Sequence, residues 1–209
     1  MLLILRQSYS LILLGIILPL VCFFGIAIAV FTSDFSLVWD VKVLEKIHAI
    51  ASPDLDAIAV SLTQLGRGKG IAAIALFVSL FLGSRQQWRS LRYFLITIIG
   101  SGLLNLIIKV LFHRHRPTLW ESLSPEFDFS FPSGHAMLSL TLVMAIAVLV
   151  PQRHWRSLFL FCGVLLAIEI GWSRLYLGVH YPSDVLGGWA LAIAWVMWIS
   201  WLSRVNVKL

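Results

Sequence analysis

Eight residues of this sequence have side chains suited to phosphate chemistry: Lys109, Arg114, Arg116, Ser133 and His135, then Arg174, His180 and Asp184. Fixed cations neutralise phosphoryl oxygens, Arg as a planar bidentate fork and Lys as a point charge, and stabilising developing charge usually supplies most of the catalysis. Two histidines complete the set. In-line displacement needs a nucleophile on one side of phosphorus and a proton donor for the leaving oxygen on the other, and imidazole fills either role near neutral pH. His180 and Asp184 stand i and i+4, within hydrogen-bond reach if residues 181–184 form a helix's first turn or lead into one.

Something must bring these distant residues together, and composition says what. Of the 209 residues 59% are hydrophobic and 12% charged, with a mean hydropathy of +0.91. A soluble domain carries about a quarter charged residues, so a water-soluble globule is excluded and the bilayer is the expected solvent. Between Arg6 and Asp34 lie 27 uncharged residues, ample for the roughly 20 that cross a bilayer and too many for a signal-peptide core. Charge-free stretches follow at 70–84, 93–108, 136–152, 157–168 (extending to 173) and 185–203, giving six spans, the shorter ones tilted or in thinned bilayer. Arg6, then Arg85, Arg89 and Arg92, then Arg153 and Arg156, then Arg204 and Lys208 alternate with the spans, so these loops are cytoplasmic by the positive-inside rule. The opposite face receives 33–69, 109–135 and 174–184, with nine of the ten acidic residues and all eight phosphate-type residues. Between Asp34 and Gly70 the spacing of Val41, Leu44, Ile47, His48 and Ala51, with Ser52-Pro53 as a break, predicts a short amphipathic helix along the outer surface. The expected fold is all-α, an integral-membrane bundle of six transmembrane helices forming one domain over residues 1–209.

Three local patterns narrow the chemistry. Lys109 to Pro117 reads K-x6-R-P, Pro132 to His135 reads P-S-G-H, and Ser173 to Asp184 reads S-R-x5-H-x3-D. Together and in this order they resemble the type 2 phosphatidic acid phosphatase family, and with the six-span layout the likeness covers nearly all of the chain after the first forty or so residues. The resemblance implies that His180 is the nucleophile forming a phosphohistidine, Asp184 orients its ring, and His135 protonates the leaving alkoxide. It implies that Lys109, Arg116 and Arg174 hold the phosphoryl oxygens, with Ser133 and the Gly134 backbone N–H as further donors. Pro132-Ser133 opening the fourth span independently places a helix N-terminus there, with unpaired N–H groups and partial positive charge. No metal or other cofactor is expected, since the outer loops lack clustered carboxylates for magnesium.

Each residue also has a plainer account. Asp184 caps the sixth helix after Pro182-Ser183; Lys109, Arg114 and Arg116 snorkel at a span end; either histidine sits at the interface as an ordinary imidazole. The basic cluster lies on the face the positive-inside rule leaves unexplained, and the joint pattern decides for the site. His48, His113, His115 and His154 receive no role. Trp39, Trp88, Trp120, Trp155, Trp172 and Trp201 fall near span ends and read as interface anchors. Cys22 and Cys162, inside apolar runs, read as small buried hydrophobes. Glu169, a carboxyl within a span, reads as a structural partner fixing Arg174 or another site cation, with a lipid-headgroup contact as the alternative.

The expected protein is a lipid phosphatase acting on phosphatidylglycerophosphate, phosphatidic acid, diacylglycerol pyrophosphate or undecaprenyl pyrophosphate. Its expected place is the outer face of a bacterial cytoplasmic (inner) membrane, because no organellar or glycosylation signal is present. A lipid phosphotransferase with the same site is the alternative. A lipid transporter would carry polar residues at mid-membrane, whereas here they cluster at one face. The net charge of +6 is scattered between apolar segments, so nucleic acid is not an expected partner.

Overall fold

The computed structural model describes residues 12–33 and 37–203, and among these every regular element is a helix. α1 (Leu13–Thr32) begins with a π-helical turn at Leu13–Ile17. α2 (Val38–His48), α3 (Pro53–Gly66), α4 (Gly68–Ser84) and α5 (Trp88–Phe112) follow, then α6 (Gly134–Leu149), α7 (Arg153–Tyr176) and α8 (Pro182–Leu202). Arg6, Asp34, Arg204 and Lys208 lie outside the described residues.

α1, α5, α7 and α8 are each long and apolar enough to cross a membrane, and α3 with α4, bent by 47° at their break, make a fifth crossing if taken as one broken span. α6 is shorter, at 16 residues, or about 24 Å against roughly 30 Å of hydrocarbon. Its environment explains how it does without length. None of its residues is exposed, and it packs against α5, α7 and α8, so protein rather than lipid surrounds it. The outside of the bundle is apolar instead: Val21, Ile28 and Phe31 on α1, Phe77 and Leu80 on α4, Leu103 on α5 and Phe161 on α7 are each more than half exposed. A soluble protein would hide such a surface; lipid solvates it. Cys22 and Cys162 share this fate, being exposed rather than buried as expected. An apolar run in a membrane helix need not face protein.

Helix boundaries follow local chemistry. The break at Ser52-Pro53 separates α2 from α3, with the Ser52 hydroxyl accepting from the Leu55 N–H at 3.4 Å and Pro53 in the first turn. Arg67, at φ −63° and ψ 151°, ends α3 and opens α4. α5 ends where His113 takes a left-handed conformation, φ 50°. α2 turns Asp40 and Leu44, both fully buried, toward α7 and α8.

Two contacts set the approach of α8 to the loop before α6. A Cβ on Gly188 would lie 2.8 Å from the Ser133 carbonyl oxygen, and one on Gly187 would lie 2.8 Å from the Phe131 ring, so only glycine permits this packing. Phe131 in turn stacks on Phe23 of α1, ring centres 5.7 Å apart. Side-chain hydrogen bonds pin helices deeper down, Ser101 Oγ with Thr141 Oγ1 at 2.9 Å and Tyr93 OH with Ser200 Oγ at 3.0 Å. The end of α5, the start of α6, the end of α7, the start of α8 and the α3–α4 break thus meet at one end of the bundle. Arg89, Arg92, Arg153 and Arg156 lie at the other ends of α5 and α7.

Candidate active site

The connection from α7 to α8 carries His180, only 1% exposed at its side chain. Its Nδ1 lies 3.3 Å from Asp184 Oδ2 and its Nε2 3.0 Å from Arg116 Nη1. With Nδ1–H donating to the carboxylate, Nε2 keeps its lone pair. Asp184 sits in the first turn of α8 and accepts the Tyr181 N–H at 2.8 Å, so the helix cap and the histidine partner are one carboxylate. The same Oδ2 accepts from Ser130 Oγ, while Oδ1 accepts from Arg114 Nη1. Burial first, then the charges of Arg116, Arg174 and Lys109, hold His180 well below the ordinary imidazole range.

Behind Asp184 stands a buried ion network. Arg114 is fully enclosed and bonds Asp184, the Ser183 hydroxyl at 2.7 Å and Asp40 Oδ2 at 2.8 Å, with the Tyr181 ring 4.2 Å below its guanidinium. Asp40 also accepts from the Ser183 N–H, at 2.9 Å, and from its hydroxyl. Every charge in this network therefore has a hydrogen-bonded partner, the condition for burying one.

Lys109 and Arg116 converge on Asp128, and Arg116 Nη1 also donates to the Val179 carbonyl at 2.6 Å. Burial would raise the Asp128 carboxyl, but the hydrogen bond and charge of Lys109 and the charge of Arg116 hold it below its ordinary range.

On the other flank, Arg174 is fully buried, donating Nη1 to Thr63 Oγ1 and Nη2 to Glu126 Oε1 at 2.9 Å. His135, in the first turn of α6, has its Nε2 4.0 Å from Glu126 Oε1. Ser133 Oγ, His135 Nε2 and Arg174 Nε are buried without a hydrogen-bond partner. Leaving buried polar atoms unmet is costly, so three on one flank mark a place for a ligand, with acceptor atoms for the Ser133 hydroxyl and the Arg174 Nε–H. Gly134 begins α6, where N–H groups have no partner within the helix; a Cβ there would lie 3.1 Å from Asn105 Oδ1.

The structure thus brings together all eight residues singled out in the sequence. Two readings need correction. Glu169 is exposed and does not fix Arg174; Glu126 does. Five helical positions rotate Glu169 about 140° from Arg174. Trp120 stacks on His48, centres 4.0 Å apart, and fills the space beside Gly178, so it holds together the loops at this end of the bundle. Asp40, Ser130, Thr63, Glu126 and Asp128 were not assigned roles from sequence; an Asp on the Leu44 face of an amphipathic helix was the available signal for Asp40. Among the described residues no group of three His, Cys, Asp or Glu is arranged to hold a metal ion.

Two basic helix ends, two histidines and an all-helical apolar bundle define a class, and comparison agrees: the chain belongs to the PAP2 superfamily, which residues 90–208 match, and it is a multi-pass membrane protein. It is 31% identical over 152 residues to phosphatidylglycerophosphatase B of Bacillus subtilis, covering 69% of this chain and 73% of that one. With an undecaprenyl-diphosphatase of Sulfolobus acidocaldarius it shares 28% identity over 191 residues, 90% of this chain and 88% of the other. The fold matches the crystal structure of a transmembrane PAP2 type phosphatidylglycerolphosphate phosphatase from Bacillus subtilis with a TM-score of 0.82, at 26% identity, over 92% of this chain and 97% of that one.

Proposed function

We propose that this protein is a metal-independent lipid phosphatase working through a phosphohistidine. It would hydrolyse a phosphomonoester or pyrophosphate such as phosphatidylglycerophosphate, phosphatidic acid or undecaprenyl pyrophosphate on the outer face of a bacterial inner membrane. α1 and α4 to α8 are its six crossings, placing Arg85, Arg89, Arg92, Arg153 and Arg156 inside. The observation that carries this reading is one histidine backed by a buried carboxylate, with Lys109, Arg116, Arg174 and a second histidine within electrostatic reach of it.

His180 Nε2 attacks phosphorus, the bond from phosphorus to the lipid oxygen breaks, and His135, which takes up a proton as the anionic substrate binds beside it, gives that proton to the departing oxygen. Asp184 accepts the Nδ1–H and stabilises the positive charge the ring acquires. Lys109, Arg116 and Arg174 hold the phosphoryl oxygens, with Ser133 Oγ and the Gly134 N–H as further donors; Ser133 Oγ and Arg174 Nε gain the acceptors they lack. Water then attacks phosphorus, His135 takes its proton, the N–P bond breaks and inorganic phosphate leaves. Three cations at the phosphoryl group supply the charge neutralisation that a divalent ion supplies elsewhere.

The test is phosphate release by purified protein from a panel of these lipids with EDTA present, together with acid-quench trapping of a phosphoenzyme. Release that survives EDTA, with label on His180, is expected. Loss on chelation restored by magnesium, or label on another residue, would overturn the mechanism.

A further inference from the structure

Beside His135 lies a cavity of about 590 Å³ whose walls include Gln64, Arg67, Lys69, Glu126, Phe127 and His135, but not His180. The α3–α4 break brings it to the histidine: a Cβ on Gly66 would lie 3.1 Å from His135 Cδ2, so glycine lets the end of α3 press on the ring, with Arg67 next in the chain. Among the described residues Arg67 hydrogen-bonds only neutral oxygens, Gln64 Oε1 at 3.3 Å and Ser124 Oγ at 3.2 Å. Among the described residues no carboxylate pairs with Arg67 or Lys69. Glu126, the one acid in the wall, is engaged by Arg174. Two cations without a carboxylate partner among the described residues thus stand around a cavity walled in part by His135, whose Nε2 is buried without a hydrogen-bond partner.

We infer that this cavity receives the leaving side of the substrate, and that Arg67 and Lys69 bind a second phosphate carried there by the leaving group. The inference rests on the reading of His135 as the proton donor, since the group bonded to the oxygen it protonates must extend past its ring. Phosphatidic acid leaves as neutral diacylglycerol and offers these cations nothing. A lipid whose leaving group keeps a phosphate, either the phosphodiester of phosphatidylglycerophosphate or the phosphomonoester left by a prenyl diphosphate, offers each a charge-assisted contact. Arg67 and Lys69 are therefore specificity residues that favour two-phosphate lipids, and neither belongs to the three sequence patterns.

The experiment compares kcat/KM in mixed micelles for phosphatidic acid, phosphatidylglycerophosphate and undecaprenyl diphosphate. Wild type, the double variant Arg67→Gln/Lys69→Gln and the control Lys42→Gln would be measured. The ratio of a two-phosphate lipid to phosphatidic acid should fall about tenfold or more in the double variant, chiefly through KM, and stay at the wild-type value in the control. A fall for only one of the two lipids identifies which spacing of phosphates the cavity fits. A second measurement needs no variant: phosphatidylglycerol should inhibit wild type competitively, and diacylglycerol should not. An unchanged ratio in an active double variant, or equal inhibition by the two products, overturns the inference while leaving the phosphatase reading intact. Wild type that releases phosphate from none of the three lipids would instead overturn the phosphatase reading.

Discussion

The two histidines occupy opposite kinds of surroundings. His180 is sealed, its Nδ1 on a carboxylate that is itself tied down by Ser130, Tyr181 and Arg114, and its Nε2 beside Arg116. His135 borders a cavity, and its Nε2 has no partner. On the proposed reading, one flank is finished before substrate arrives and the other is completed by it. That division suits a displacement whose attacking group is the same for every substrate while the departing group varies, because rigidity on the attacking side costs no breadth on the other.

The largest effect that could break this contrast comes from the histidines themselves. His180→Ala should abolish phosphoenzyme formation for every substrate, whatever the leaving group, in an acid-quench trapping assay. His135→Ala should lose about 10²- to 10⁴-fold on lipid substrates yet recover much of it on an activated ester whose leaving group needs no proton. Rescue of the His180 variant by the activated ester, with label still trapped, would exchange the two roles.

Next in size is a comparison of two Arg–Asp pairs. Arg114 and Asp40 have side chains 0% exposed, whereas Asp128, the partner of Arg116, is 55% exposed. Asp40→Asn should destabilise the protein by about 1–3 kcal/mol, because Arg114 keeps Asp184 but loses one buried charged acceptor. Asp128→Asn should cost less, because solvent screens its half-exposed carboxyl. Thermal unfolding in detergent reads both, and equal losses would erase the distinction between the flanks.

The smallest effect is on pH dependence. Protonation removes the His180 lone pair, and its pKa is held well below 6.5, so the acid limb of kcat/KM on an activated ester should lie well below pH 6.5. An acid limb centred at or above 6.5 would show that His180 is not sealed as described.

Much of this was legible in the sequence because it is written locally. The apolar stretches mark α1 and α4 to α8, Ser52-Pro53 marks the α2–α3 break, and the i, i+4 spacing puts His180 against Asp184. What escaped depends on rotation about a helix or on distant pairing. Glu169 is near Arg174 in sequence but points elsewhere, while Glu126, 48 positions away, makes the bond. The α2 stripe is legible as a period, but Asp40 within it answers an arginine 74 residues on, and no local pattern encodes that. The exposed cysteines were misjudged for a different reason: hydropathy reports preference for an apolar solvent and does not distinguish lipid from protein.

Asp40, Thr63 and Gly66 all precede residue 90, where the family match begins, yet each touches a group in the site: Arg114, Arg174 and His135 in turn. The portable unit is therefore larger than the signature that names it. Grafting residues 90–208 onto another amino-terminal half would carry every motif across while stripping Arg114 of its second carboxylate and His135 of its backstop. Chimeras of this family should be spliced ahead of α2, and a hybrid joined later will inherit the chemistry without the scaffold that keeps it in register.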